Sequence, residues 1–518
     1  VGPITAGGVS SKGTGVASTN ASQTISGALQ DGTTSSNPKT INFQAPYTAA
    51  DAAATNPITI STYWLFKYYG ANDDYNSWAS ISEVSSLLPG EGYTMKGSSG
   101  SVAISNNQNY VFKGKPYNGD FSLPITLGTD RLIGNPYPSA MDATAFIRDN
   151  ISVADGGTNT SGNIFNGALY FWDHFGEENS HNLGAYVGGY ATRNLIGGAA
   201  AISNDVRINA NGAVGTKVPG QYIPVNQGFF VITSLDTALT GLVTVSGGNI
   251  LFKNSQRAFM RESVGNSVFM KTANLKNKAS STNEKSETDT RSKIRLTFDS
   301  PTGYHRQILV GVDENASNNF DLGYDAPIAD INSEDMYWIF NESEFVIQGV
   351  NNFNEDQELP LGIITQEEGK ATIKIEELEN ITDNTAIYLK DSVTGERTNL
   401  RLQNFEINLL PDEYNNRFSI VFKPNDPAAE EVEEEIVEIE NGIQVFMNHS
   451  ISELNIRKNE DMLIKGIRLF NNLGQSVNYW NGNFTENYIT LPVKASTGLY
   501  IVEIITTKGN FTKKIIIQ

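Results

Sequence analysis

Apolar runs in this chain are short, alternate with polar residues and stop at Gly, Pro, Asn or Asp after about four to eight positions, a pattern that admits strands and little else. Residues 59–69 (TISTYWLFKYY), 90–97 (GEGYTMKG), 108–116 (QNYVFKGKP), 223–231 (IPVNQGFFV), 336–341 (MYWIFN) and 417–424 (RFSIVFKP) are typical. Forty-seven Gly supply tight turns, and 21 Tyr with 25 Phe suit pleated, half-buried surfaces. Stretches with helical period are few, so helices should be scarce. The expected fold class is all-β, with several β-sandwich domains in tandem.

Charge and composition divide the chain. Residues 425–440 (NDPAAEEVEEEIVEIE) carry eight acids and no base, whereas 441–518 carry eight bases against five acids. A like-charge run of that kind stays solvated and repels itself, so it reads as a linker. Residues 271–293 lack aromatics and mix charges, which marks a second linker at 266–293. Residues 1–42 also lack aromatics and read as a Gly/Ser/Thr-rich linker, or as strands that pair with something upstream. The expected domains are therefore 43–265, one large β-domain or two tightly packed halves, then the sandwich 294–424 and a small final β-domain, 441–518.

A net charge of −20 and a pI near 4.7 argue against nucleic acid and discourage docking on bare anionic lipid. Without cysteine, neither disulfides nor thiolate zinc sites can hold the fold, and packing must do it. No run approaches the roughly 18–20 apolar residues of a membrane-spanning helix.

The final domain carries Ile467-Arg468-Leu469-Phe470-Asn471-Asn472-Leu473-Gly474-Gln475, then Leu491-Pro492, Gly498-Leu499-Tyr500-Ile501-Val502, Lys508-Gly509 and Phe511-Thr512-Lys513-Lys514-Ile515-Ile516-Ile517. This order of blocks resembles the type A C-terminal sorting domain borne by type IX secretion cargo of Bacteroidetes. The resemblance implies a small Ig-like β-sandwich and a secreted or cell-surface destination. It also implies recognition by an outer-membrane translocon (SprA/Sov-like) and a PorV-like shuttle, at an exposed edge and at the basic end formed by Lys513 and Lys514. Such cargo is often cut near the linker before the domain and then anchored or released, which makes 425–440 the candidate cut site. An N-terminal export signal, also implied, is expected to have been removed ahead of Val1 or to lie with further protein upstream. In bare physical terms Gly474 and Gly509 are turn glycines, Gly498 admits the chain tightly into a strand, and the Ile and Val runs are core faces. Upstream, residues 90–97, 134–147, 169–173, 223–231 and 252–257 resemble a β-rich region that recurs before sorting domains in large surface proteins and has no assigned chemistry.

Signals for catalysis are thin. His174 and His181 flank Phe-Gly-Glu-Glu-Asn-Ser, unlike a helical HExxH zinc site, while His305 and His449 show no obvious nucleophile or carboxylate neighbour. Carboxylate pairs are too numerous among 57 acids to nominate one. The stretch 313–321 offers oxygen ligands without the order of an EF-hand loop and reads as a solvated turn. No Walker loop or GxSxG elbow occurs. Neither a cofactor nor a metal is expected, and the chain is expected not to be an enzyme.

Aromatics give a binding expectation. Seven fall within 63–78, and Trp64 and Trp78 are the candidates for stacking on sugar rings, although alternation should send one aromatic set inward. Asp236-Thr237-Ala238 and Asp391-Ser392-Val393 are similar to the O-glycosylation acceptor of exported Bacteroidetes proteins, which nominates Thr237 and Ser392. The expected function is that of an exported multidomain β-protein whose upstream domains serve as stalk or adhesin modules. The alternative is an extracellular polysaccharide-binding protein or an accessory part of a polysaccharide-degrading enzyme.

Overall fold

The computed structural model describes residues 4–5, 23–46, 57–72, 74–97, 109–174, 188–203, 218–260, 289–329, 331–423, 443–448, 453–458, 463–507 and 509–517. They are dominated by strands, and the chain divides into two units, residues 1–424 and 425–518. The expected linker 425–440 lies outside the described residues, as does all of 266–293 except 289–293.

In the first unit, β1 (Phe66–Ala71), β2 (Trp78–Ser80), β3 (Thr129–Gly134), β4 (Leu169–His174), β5 (Gly188–Arg193), β6 (Gly198–Ala199) and β7 (Gly228–Ile232) form an antiparallel sheet in the order β6-β5-β4-β7-β3-β1-β2. Successive side chains of a strand face opposite sides. On β4 and β7 this puts Leu169, Phe171, Phe229 and Val231 on one face, in the core, and Tyr170, Trp172, Phe230 and Ile232 on the other, where Tyr170 is also fully buried, Phe230 and Ile232 are half-buried and Trp172 is exposed. The core face is closed partly by α1 (Ala143–Asn150), which buries Phe146 and Ile147. Its first turn is capped by the Asp142 carboxylate, which accepts from the Thr144 N–H at 2.8 Å and the Ala145 N–H at 3.2 Å. The chain therefore passes from strand into helix at residue 143 because an Asp cap precedes it.

A second sheet holds β8 (Lys293–Asp299), β9 (His305–Val312), β10 (Asp335–Phe340), β11 (Ser343–Val350), β12 (Glu358–Thr365), β13 (Gly369–Glu379), β14 (Tyr388–Asp391), β15 (Arg397–Asn399), β16 (Phe405–Leu409) and β17 (Phe418–Val421). Their order is β15-β14-β17-β12-β10-β11-β9-β8-β13-β16. The turn between β10 and β11 is two residues, Asn341 and Glu342, both left-handed (φ 52° and 66°), as a twist-matched hairpin requires.

The two sheets share one core. A single apolar cluster runs from Tyr117 to Phe422 and includes Phe171, Phe229, Leu309, Trp338 and Ile373. Separate domains at 43–265 and 294–424 are therefore replaced by one unit, because alternation shows that a sheet has an apolar face but not which other sheet will cover it. Residues 23–46 also differ from the linker expected at 1–42. Leu29–Asp31 pairs with Lys39–Thr40 and with Tyr110–Phe112, and Ile25, Leu29 and Ile41 join Ile58, Ile60, Leu65 and Leu87 in a small satellite core. Phe43, Tyr93, Tyr110 and Phe112, from beyond residue 42, pack against it.

The second unit matches the small Ig-like sandwich expected. Its strands are β18 (Ile443–Asn448), β19 (Glu453–Lys458), β20 (Ile464–Asn471), β21 (Ser476–Phe484), β22 (Tyr488–Pro492), β23 (Gly498–Thr506) and β24 (Gly509–Ile517). They form sheets β18-β19-β22 and β21-β20-β23-β24. Leu454, Ile456, Ile489 and Leu491 from one sheet meet Ile467, Leu469, Val502 and Ile504 from the other in a separate core.

Within the second sheet of the first unit, Arg306 donates to Asp335 at 2.6 and 2.7 Å, with both side chains almost fully buried. Asp335→Ala should lower unfolding free energy by about 3–5 kcal/mol, since it removes the bidentate carboxylate from a buried guanidinium. Lys370→Ala, which breaks the exposed pair with Glu406, should lower it by less than about 1 kcal/mol. Urea denaturation of the two variants measures both.

Candidate functional site

The outer face of the seven-stranded sheet carries a concavity of about 210 Å³. Tyr190 of β5, Tyr170 of β4, Phe230 and Ile232 of β7, Asp130 of β3, Tyr68 of β1 and Trp78 of β2 line it across adjacent strands. Asn72, Asp74 and Tyr75 come from the turn between β1 and β2, and Ala329 comes from the segment ahead of β10.

Strand register brings these rings together. Tyr68 lies opposite Trp78 and Tyr170 opposite Phe230. Their contacts are edge to face: Tyr68 to Trp78 at 5.0 Å and 70°, Tyr68 to Phe230 at 5.5 Å and 68°, and Tyr190 to Phe230 at 5.7 Å and 84°. Such geometry aligns positive ring edges with negative faces. The inner hydroxyls are engaged: Tyr68 Oη donates to Ala71 O at 2.8 Å, and Tyr170 Oη donates to Pro327 O at 3.1 Å while accepting from Asn166 Nδ2 at 2.9 Å. Burial pushes the Tyr170 phenol far up, so it stays protonated.

At the rim, Tyr75 is 80% exposed. It begins a single 3₁₀ turn, Tyr75–Ser77, capped by Asp74, whose Oδ1 accepts from Asn76 N and Nδ2 at 2.9 Å each. The two tryptophans nominated by sequence part company here. Trp78 lines the cleft, half-buried, whereas Trp64 is not among the lining residues and packs edge to face on Tyr63 with the Lys96 ammonium 5.5 Å from its ring. Residues 59–69 are not one continuous strand, since Thr62–Trp64 forms a 3₁₀ turn capped by Ser61.

His305 corrects one expectation. Its Nδ1 meets the Asp299 carboxylate, which also accepts from Lys374 Nζ at 2.8 Å. The hairpin register Asp299 opposite His305 supplies that neighbour, a signal present in the Pro-Thr-Gly turn of residues 301–303. His181 and His449 lie outside the described residues. The carboxylates of 313–321 close turns: Asp313 accepts from Arg291 and Asn315, and Asp321 from Ser317. Among the described residues, no group of three or more His, Asp or Glu could hold a metal.

Thr237 and Ser392 are both exposed on turns but differ in setting. Asp236 is exposed, with Thr237 Oγ1 3.4 Å from its Oδ1. Asp391 is buried, taking Arg417 Nε and Nη2 at 2.9 and 2.8 Å, and Ser392 Oγ donates to Asn416 O at 3.1 Å. Burial alone would raise the Asp391 carboxyl, but hydrogen bonds from Arg417 and from the Val393 N–H hold it below the usual range.

In the second unit the nominated residues separate into framework and surface. Leu469 and Tyr500 are buried, and Tyr500 Oη donates to Ser496 O at 2.8 Å. Phe470, on β20, is half-buried. Asn471 organises the turn into β21, its Oδ1 accepting from Leu473 N and Gln475 N at 3.0 Å each, with Gly474 left-handed at φ 75°. That turn holds Leu473 out at 78% exposure. Leu499 is also exposed, Gly509 has φ 132°, and Lys513 and Lys514 stand exposed on the edge strand β24. At Gly498 an added Cβ would meet Tyr500 at 3.5 Å, ordinary contact, so tight passage into the strand is not its role.

Comparison with known families divides the chain in a similar way. Residues 31–422 match a family model described as a domain of unknown function (DUF8693). Residues 444–518 match the secretion system C-terminal sorting domain. No curated protein matches the chain.

Gly474→Ala should loosen the β20–β21 turn by about 1 kcal/mol, because alanine is strained at positive φ, whereas Gly498→Ala should change little. Hydrogen exchange of the β20 and β21 amides in the full chain distinguishes them.

Proposed function

From a chain that belongs to the DUF8693 family and ends in a secretion system C-terminal sorting domain, we propose a Bacteroidetes surface protein whose upstream unit works as a stalk or adhesin module, not as an enzyme. That the chain is cargo of type IX secretion, bound for the cell surface or the medium, follows from the sorting domain itself. The further step rests on the pairing of that domain with a large all-β unit built on one core and carrying an aromatic cleft on its outer face. A rigid sheet that presents aromatic rings outward is suited to contact with an external surface.

In this reading the outer-membrane translocon and its shuttle meet the second unit at features accessible without unfolding. These are the exposed turn at Leu473, Leu499, and the Lys513 and Lys514 side chains on β24. Edge strands are common sites of strand addition. Thr237, exposed beside an exposed Asp236, is the better acceptor for a sugar than Ser392, whose preceding Asp391 is engaged by Arg417.

A second reading, an extracellular polysaccharide-binding protein or an accessory part of a polysaccharide-degrading enzyme, is favoured by one observation: the cleft joins aromatic rings to Asp74 and Asn72.

Cells that make residues 1–518 should show the protein to antibody on intact cells or in the medium, and cells that make only 1–424 should retain it inside the outer membrane. Cells lacking the protein should adhere less. Unchanged adhesion after complete loss of surface protein would contradict the adhesin role.

A further inference from the structure

We propose that the cleft on the outer face of the seven-stranded sheet is a binding site for a neutral sugar ring, stacked on Tyr75 and Trp78, with Asp74 and Asn72 taking its hydroxyls. The inference rests on the polysaccharide-binding reading above and gives it a location and a ligand class.

The first support is the disposition of the aromatics. Tyr75 stands 80% exposed on a turn whose backbone Asp74 caps, so its ring is presented to water at the rim of the cleft. Beside it the half-buried Trp78 is braced edge to face by Tyr68 and Phe230. An aromatic surface fixed before binding loses little conformational freedom on binding. Pyranose rings present C–H groups on a flat face, and those groups pack on aromatic faces.

The second support is the polar chemistry. Asn72 offers both a donor and an acceptor, the Tyr75 hydroxyl does the same, and Asp74 accepts. Sugar hydroxyls each donate and accept, so a mixed set of this kind pairs them. The described lining includes Asp74 and Asp130 and no Lys, Arg or His. Added to a net charge of −20, this disfavours phosphate, sulfate and uronate ligands.

The third support is size. A concavity of about 210 Å³ lies below the roughly 300–1,000 Å³ of pockets for drug-sized ligands. One ring fits, either a glycan end or a single unit of a chain that continues into solvent. An organic ammonium also suits aromatic rings with carboxylates, but it would leave the donors of Asn72 and Tyr75 unused.

The test is affinity electrophoresis of the full chain in native gels containing mannan, xyloglucan, laminarin, dextran or polygalacturonate, with tryptophan fluorescence during choline titration as a further arm. The expected result is slower migration in at least one neutral gel and none in polygalacturonate. Tyr75→Ala and Asp74→Asn, which preserve the core and the cap, should weaken that retention at least tenfold with unchanged unfolding midpoints. Tyr63→Ala, exposed but beside Trp64 and outside the cleft, should leave it unchanged. Retention that survives Tyr75→Ala would overturn the cleft while leaving the polysaccharide reading standing. Failure of every neutral gel would remove both, and saturable quenching by choline alone would assign the cleft to a cation.

Discussion

The first unit depends on a seam in which backbone groups of residues 195–203 are bonded by the second sheet and by Arg291 just ahead of it. Arg295 Nη1 donates to Gly198 O at 2.6 Å, and Arg291 Nη1 to Leu195 O at 2.9 Å. Gln307 Oε1 accepts from Ala200 N at 2.8 Å, while Ser203 and His305 exchange backbone bonds at 3.1 and 2.7 Å. All of these residues but the half-buried Arg291 are buried, so most of the bonds satisfy polar groups that would otherwise be left without water. At Gly167 and Gly323, both at positive φ, the two halves approach so closely that a Cβ on Gly167 would fall 2.5 Å from Gly323.

The seam also shapes the cleft. Tyr170 reaches its place on the outer face while donating to Pro327 O, and Ala329 closes one wall; both belong to the segment between β9 and β10. An aromatic surface built on β1 to β7 is thus completed by chain from the other side of the expected linker. Without the shared core, Tyr170 and Phe230 would line an open sheet.

Legibility in the sequence followed the range of the interactions. The second unit was readable because its signals are local: Gly474 and Gly509 at positive φ, an Asn471 turn, and alternating strands with a separate core. The all-β class was readable from period-two runs for the same reason. The merging of 43–265 with 294–424 was not, since no local pattern says that Phe229 and Trp338 will lie in one cluster. The aromatics of 63–78 were visible as a group, but it takes the 3₁₀ turn at Thr62–Trp64 and the pairing of Tyr68 with Trp78 to separate Trp78, in the cleft, from Trp64 near Lys96. Tyr170, Tyr190 and Phe230 come from three further strands and gave no joint signal. The Asp142 cap and the Asp299 partner of His305 were legible in principle, the first from Asp-Ala-Thr and the second from hairpin register.

The most direct test of one core across the first unit is native-state hydrogen exchange of the full chain in rising urea, followed by mass spectrometry of peptides from β4, β7, β8 and β9. A shared core predicts that these four strands open together, in one cooperative step, with the sandwich of β18 to β24 opening in its own. If β4 and β7 open at lower urea than β8 and β9, the upstream region is two domains and the seam is only a contact between them.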